Sequence, residues 1–203
     1  MNTQNMIKVW DPVVRIFHWT LVTAFFTAYI TEDDFLSLHT YAGYTVLALI
    51  LLRLVWGFIG SRHARFSNFV THPRVAWQYL KDTLLLRARR YIGHNPAGAA
   101  MIVLLLLSLL ITAISGIATY GAVESAGPLG AYLGNIGEHG EDALEEIHEF
   151  FANFTVLLVV IHISGVILES LFHRENLVRA MFTGYKPAKS SQASKQESKH
   201  VID

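Results

Sequence analysis

Cysteine is absent from the 203 residues. Disulfides, thiol nucleophiles, thiolate-ligated clusters and thioether attachment of a prosthetic group are excluded with it. Charge is also scarce, at 16% of residues against 52% hydrophobic, a balance that an ordinary soluble domain does not show. Lysine and arginine are missing altogether from two stretches, 31–37 and 121–147. The N-terminus lacks the ordered basic region, short apolar core and small-residue site of a cleaved signal peptide, and none is expected.

What the chain has in quantity is long apolar runs. Four of them, at about 13–30, 36–59, 97–120 and 148–172, are long enough to cross a hydrocarbon layer about 30 Å thick. The expected fold is an all-α integral membrane protein, a bundle of four transmembrane helices within one domain of residues 1–185. Asp11-Pro12 reads as the cap and first turn of the first span. Between spans two and three, Val75, Trp77, Leu80, Leu84 and Leu85 alternate with Arg74, Lys81, Arg87, Arg89 and Arg90. That pattern predicts an amphipathic helix over 74–90 lying in the membrane interface. Residues 121–147 predict an acidic loop ending in a short helix, and the Lys/Ser/Gln-rich stretch 186–203 a disordered tail. Every lysine and arginine lies before or early in span one, in or beside the 61–94 connector, or after span four. The positive-inside rule then puts both termini in the cytoplasm and both acidic loops outside.

Two histidines in span four, His148 and His162, are fourteen residues apart. Fourteen helical steps bring the second to within roughly 40° of the first and roughly 21 Å further along the axis. Counting depth in the same way, His18 in span one falls level with His162, and His39 at the start of span two falls level with His148. Four imidazoles at two depths inside a bundle suit two stacked metal or haem sites. Without a metal, they would be helix–helix hydrogen bonds or part of an ion path. Arg53, fourteen residues after His39, either faces a cofactor carboxylate or bound substrate at the inner depth, or snorkels to the interface. Gly43 would leave room for a planar ring beside span two, and Gly116 and Gly121 suit close approach of such a ring or of a helix. Arg15 reads as a headgroup anchor, and His63, His72, His94 and His173 as surface residues, unless one near the inner level serves a quinone's proton chemistry; His139 reads as a surface residue, with a metal site alongside Glu138 or Glu141 as the alternative.

The run Arg15-Ile16-Phe17-His18-Trp19, then His39 with Gly43 and Arg53, then Glu146-Ile147-His148-Glu149 with His162, resembles the bacterial di-haem cytochrome b561 and nickel–iron hydrogenase b-type cytochrome family, and the loop Gly60-Ser61-Arg62-His63-Ala64-Arg65-Phe66 resembles its cytochrome b/b6-like branch. The resemblance covers roughly residues 8–184. It implies two haem b groups, one on His18 and His162 towards the cytoplasm and one on His39 and His148 towards the periplasm. The function expected is electron transfer across the inner membrane between the quinone pool (ubiquinone or menaquinone) and a periplasmic partner such as a soluble cytochrome c. The alternatives are oxidation of superoxide by quinone, which the acidic outer loops disfavour for an anion, and a haem-bearing membrane anchor of a hydrogenase or dehydrogenase. Lipid and quinone are the expected small partners, no nucleic acid is expected, and a homodimer is left open.

Overall fold

Asp11 starts the first span. Its Oδ1 accepts the Val14 backbone N–H at 2.9 Å, Pro12 opens the helix, and α1 runs Pro12–Ile30. Its Oδ2 accepts from the Ser61 hydroxyl and from Trp56 Nε1 at 3.4 Å, so one carboxylate ties the start of α1 to the end of α2, Leu36–Ile59. Burial alone would raise the Asp11 carboxyl; hydrogen bonds from Ser61, Val14, Trp56 and Val13 outweigh it and hold the group below its ordinary value. A depressed carboxyl contributes stability that is present above the unfolded value, near 4, and is lost as the pH falls through the lower folded value. Asp11→Ala is therefore expected to destabilise by about 0.5–2 kcal/mol at neutral pH. In thermal unfolding the difference from wild type should shrink in acid.

The computed structural model describes residues 6–32 and 34–188. After α2 the chain makes a single turn of helix, α3 Phe66–Phe69, and the amphipathic α4 Pro73–Leu84. The third span is α5 Pro96–Val123, capped by Asn95, whose side chain accepts from Gly98 N at 2.6 Å. A short α6, Gly130–Leu133, precedes α7 Glu138–His173, and α8 Leu177–Thr183 lies beyond it. Strand β1, Met6–Lys8, pairs antiparallel with β2, Tyr185–Pro187, in the register Ile7 with Lys186. The protein is thus a multi-pass membrane protein: α1, α2, α5 and α7 are each long and apolar enough to cross a bilayer.

Their outward faces are apolar, with Ile16, Leu51, Phe58, Leu107, Val160 and Leu168 all exposed, as lipid contact requires. Inside, Ala24, Phe25, Val46, Ile50 and Leu109 form the core. Close packing of α5 on α7 follows from small side chains: Thr155 is fully buried, bonds Ser108 at 2.7 Å and donates to Phe151 O at 2.8 Å.

Four expectations change. The interfacial helix ends at Leu84, not 90, because Leu86 takes a left-handed φ of 57° and Arg87 N–H turns back to Asp82 O at 2.7 Å. The acidic segment is mostly helical, since α5 runs on to Val123 and α7 begins ten residues before His148. Lys186, expected in a disordered tail, is 5% exposed in β2, where its Nζ faces Glu175 at 3.5 Å; residues 189–203 of that tail lie outside the described residues. Arg15 donates to the Phe182 carbonyl rather than reaching for headgroups.

Candidate functional site

Three of the spans aim imidazoles into the bundle. His18 of α1 and His162 of α7 face one another with ring centroids 6.5 Å apart and planes at 53°. His39 of α2 and His148 of α7 do the same at 6.0 Å and 86°. These are the pairs that depth counting predicts. Two imidazole nitrogens sharing one metal at about 2.0–2.1 Å each would place their ring centroids roughly 6 Å apart. Among the described residues no three His, Cys, Asp or Glu side chains gather to hold a metal by themselves. A metal between either pair would take its other bonds from outside these side chains, as iron does from the macrocycle of haem.

The His39–His148 pair is held ready for that role. His39 Nδ1 lies 2.9 Å from Ala28 O, and His148 Nδ1 lies 2.9 Å from Thr112 O and 3.2 Å from Ser115 Oγ. A carbonyl only accepts, so the proton sits on Nδ1 in both rings and Nε2 is left as the neutral ligand nitrogen. Gly116 makes room for His148: a Cβ there would meet its Cε1 at 2.7 Å. So the neighbour that Gly116 admits is an imidazole from α7. Nothing lies within 4 Å of a Cβ built on Gly43, which leaves open space beside α2.

At the other level the polar atoms are less complete. His18 Nδ1 and Trp19 Nε1 are buried without a partner, and Trp19 stacks on Phe182 at 4.3 Å. Arg53 is 4% exposed and does not snorkel. Its Nη2 donates to Ala64 O at 3.0 Å, its guanidinium lies 4.8 Å from the Phe66 ring centre, and its Nη1 is buried and unpaired. A buried guanidinium with a free donor fits an acidic group such as a haem carboxylate.

One residue that sequence reading placed on the surface is not there. The His94 ring is clamped between Trp10 and Phe69, 4.5 Å from each, with Nδ1 buried and partnerless. Burial first, then the charges of Arg53, His63, Lys186 and His162, push it down to about 3, so it is neutral at physiological pH. No local signal marks it, because its neighbours come from the N-terminus and from α3.

The family model described as Prokaryotic cytochrome b561 matches residues 9–184. The chain belongs to the prokaryotic cytochrome b561 family. As a b-type cytochrome it carries haem b, and electron transport is its general role. Similar proteins include the probable Ni/Fe-hydrogenase B-type cytochrome subunit of Rhizobium leguminosarum bv. viciae, 26% identical over 89% of this chain and 89% of that one. The subunit of the same name from Rhodobacter capsulatus is 27% identical, over 95% and 86%. The probable Ni/Fe-hydrogenase 1 B-type cytochrome subunit of Escherichia coli K12 is 26% identical over 97% and 98%. No solved structure matches this cytochrome b561.

Proposed function

We propose that this cytochrome b561 is the haem-bearing membrane subunit of a redox enzyme complex, passing electrons between a partner enzyme and the quinone pool. The observation that carries the subunit role is similarity along nearly the whole chain to proteins named as hydrogenase B-type cytochrome subunits. The two facing imidazole pairs supply a path. His18 with His162, and His39 with His148, would be the axial ligands of two haem b groups stacked along α7. Bound there, haem b would supply one-electron exchange, with an imidazole pair from the protein holding each group.

The protein's own residues do the rest. Ala28 O and Thr112 O fix the tautomer and orientation of two ligand rings. Arg53 would offset carboxylate charge at the inner level. Ile50, Phe25 and Leu109 keep water from the space between the levels. With the basic connector on the cytoplasmic side of a bacterial inner membrane, the exposed Glu138, Asp142, Glu145, Glu146 and Glu149 form the periplasmic end. That acidic end supports a second reading, a self-standing cytochrome serving a basic soluble partner such as a cytochrome c.

Purification from its own membranes in mild detergent, with pyridine haemochrome quantitation and mass spectrometry, tests both. Two haem b per chain and a stoichiometric redox subunit are expected, with the b bands reduced by quinol or by the partner's substrate. Two haems with no co-purifying subunit would move the self-standing cytochrome to the front. No haem would overturn both readings and leave the histidines as an ion path.

A further inference from the structure

Thr23, Thr45 and Ser164 each donate a hydroxyl to the carbonyl one turn back on their own span, at exposed positions. That is the ordinary use of a hydroxyl within a helix. Ser115 of α5 begins the same way, donating to Thr112 O at 3.0 Å. It differs in being 7% exposed and in facing a second group, for its Oγ lies 3.2 Å from His148 Nδ1.

The hydrogens decide which of the two donates. That of Ser115 is committed to Thr112 O, and His148 Nδ1 carries one because it faces the same carbonyl at 2.9 Å. The lone pairs of the Ser115 oxygen therefore meet the ring, and one N–H is shared between two acceptors. The carbonyl does not suffice alone. In a regular helix Thr112 O also accepts the Gly116 N–H, so three donors converge on an oxygen with two lone pairs. Ser115 supplies the acceptor that is short. The adjacent pair Ser115-Gly116 makes the approach possible: a Cβ on Gly116 would stand 3.1 Å from Nδ1, so the imidazole lies against the α5 backbone within reach of a short side chain.

The other imidazoles are held less fully. His39 Nδ1 has Ala28 O as its acceptor, and His18 Nδ1 is buried without a partner among the described residues. A hydrogen bond from Nδ1 makes Nε2 of the same ring a more basic ligand and fixes the ring plane. A more basic ligand favours the oxidised, more positively charged state of the metal it holds, so the acceptors around Nδ1 act on its potential.

Building on the reading of His39 and His148 as axial ligands, we propose that Ser115 is a positioning residue for His148: by accepting the Nδ1 proton it fixes the ring and lowers the reduction potential of the haem at that level. The test is a spectroelectrochemical titration of the haem-loaded chain in detergent. The step of the His39–His148 level is identified as the one that remains in His162→Ala. In Ser115→Ala that step is expected to move to a more positive potential while the other stays in place. Transfer of that haem to apomyoglobin should run about tenfold faster. Ser115→Thr returns the oxygen and should restore both. If Ser115→Ala does not keep that haem, Ser115→Cys, with a weaker acceptor of similar reach, decides by the same shift.

Both steps unmoved in the deciding variant, or both moved equally, overturns the proposal, and a lower thermal midpoint with unmoved potentials would make Ser115 a packing residue alone. Failure of the ligand reading looks different. His148→Ala would then keep two haems per chain, and the role of Ser115 would fall with it. One haem in His148→Ala, with unmoved steps in Ser115→Ala, would sink the proposal and leave the ligands standing.

Discussion

His162→Ala is expected to halve the haem b content, from two groups per chain to one, and to leave the reduced spectrum of the remaining group unchanged. The physical reason is that each imidazole pair stands alone. His162 faces His18 at the inner level, 6.5 Å away between centroids, and no third ligating side chain is grouped there among the described residues. Loss of one axial nitrogen leaves a single protein bond to the metal and a buried gap on one side of it. The His39–His148 pair lies roughly 21 Å further along α7 and keeps its own second contacts to Ala28 and Thr112. His148→Ala should give the complementary result, removing the other group. Pyridine haemochrome quantitation on both variants, with low-temperature spectra to tell the two apart, measures this. Full occupancy in either variant would show that the pairing is wrong.

Gly116→Val should remove the haem of the His39–His148 level without replacing a ligand. A Cβ at 116 would meet His148 at 2.7 Å from Cε1, 3.1 Å from Nδ1 and 3.3 Å from Nε2. The ring must move, and moving it breaks the bond from Nδ1 to Thr112 O that sets its tautomer. Overpacking of this kind costs about 1–3 kcal/mol, so the thermal midpoint should fall along with the haem content. Gly43 makes the contrast. An alanine there would touch nothing within 4 Å of the protein, so Gly43→Ala should be silent. Gly43→Leu should cost haem if a ring lies beside α2. Unchanged haem in Gly43→Leu would take that glycine out of the site.

The spans and the two levels of histidine were legible because they rest on local regularities. A fourteen-residue interval on one helix fixes both face and depth, and an apolar run fixes the span. The same is true of the Asp11-Pro12 start, where cap and first-turn residue adjoin in the chain. What sequence reading missed is non-local or weakly coded. Residues 138–147 are strongly acidic, so hydropathy supports a short helix before span four but gives no sign that it is continuous with that span as α7. The end of α4 turns on one left-handed leucine, a conformation nothing in the Leu-rich run 84–86 announces. His94 becomes an interior residue because the link between β1 and α1 delivers Trp10, and α3 delivers Phe69, to its ring. Lys186 looks like the start of a polar tail, yet three residues of strand and a buried glutamate hold it. Arg53 sat between two readings that spacing alone could not separate, since either places it at the same depth.

The pairing of β1 with β2 sets an order of assembly. Strand β2 follows every span, and Arg90 reaches it through the carbonyls of Pro187 and Ala188 while holding Glu175. Strands β1 and β2 cannot pair until residues 185–187 have been made, after all four spans. The strand pair is therefore the last contact that the chain order allows, and it ties residues 6–8 to residues 185–187 across all four spans.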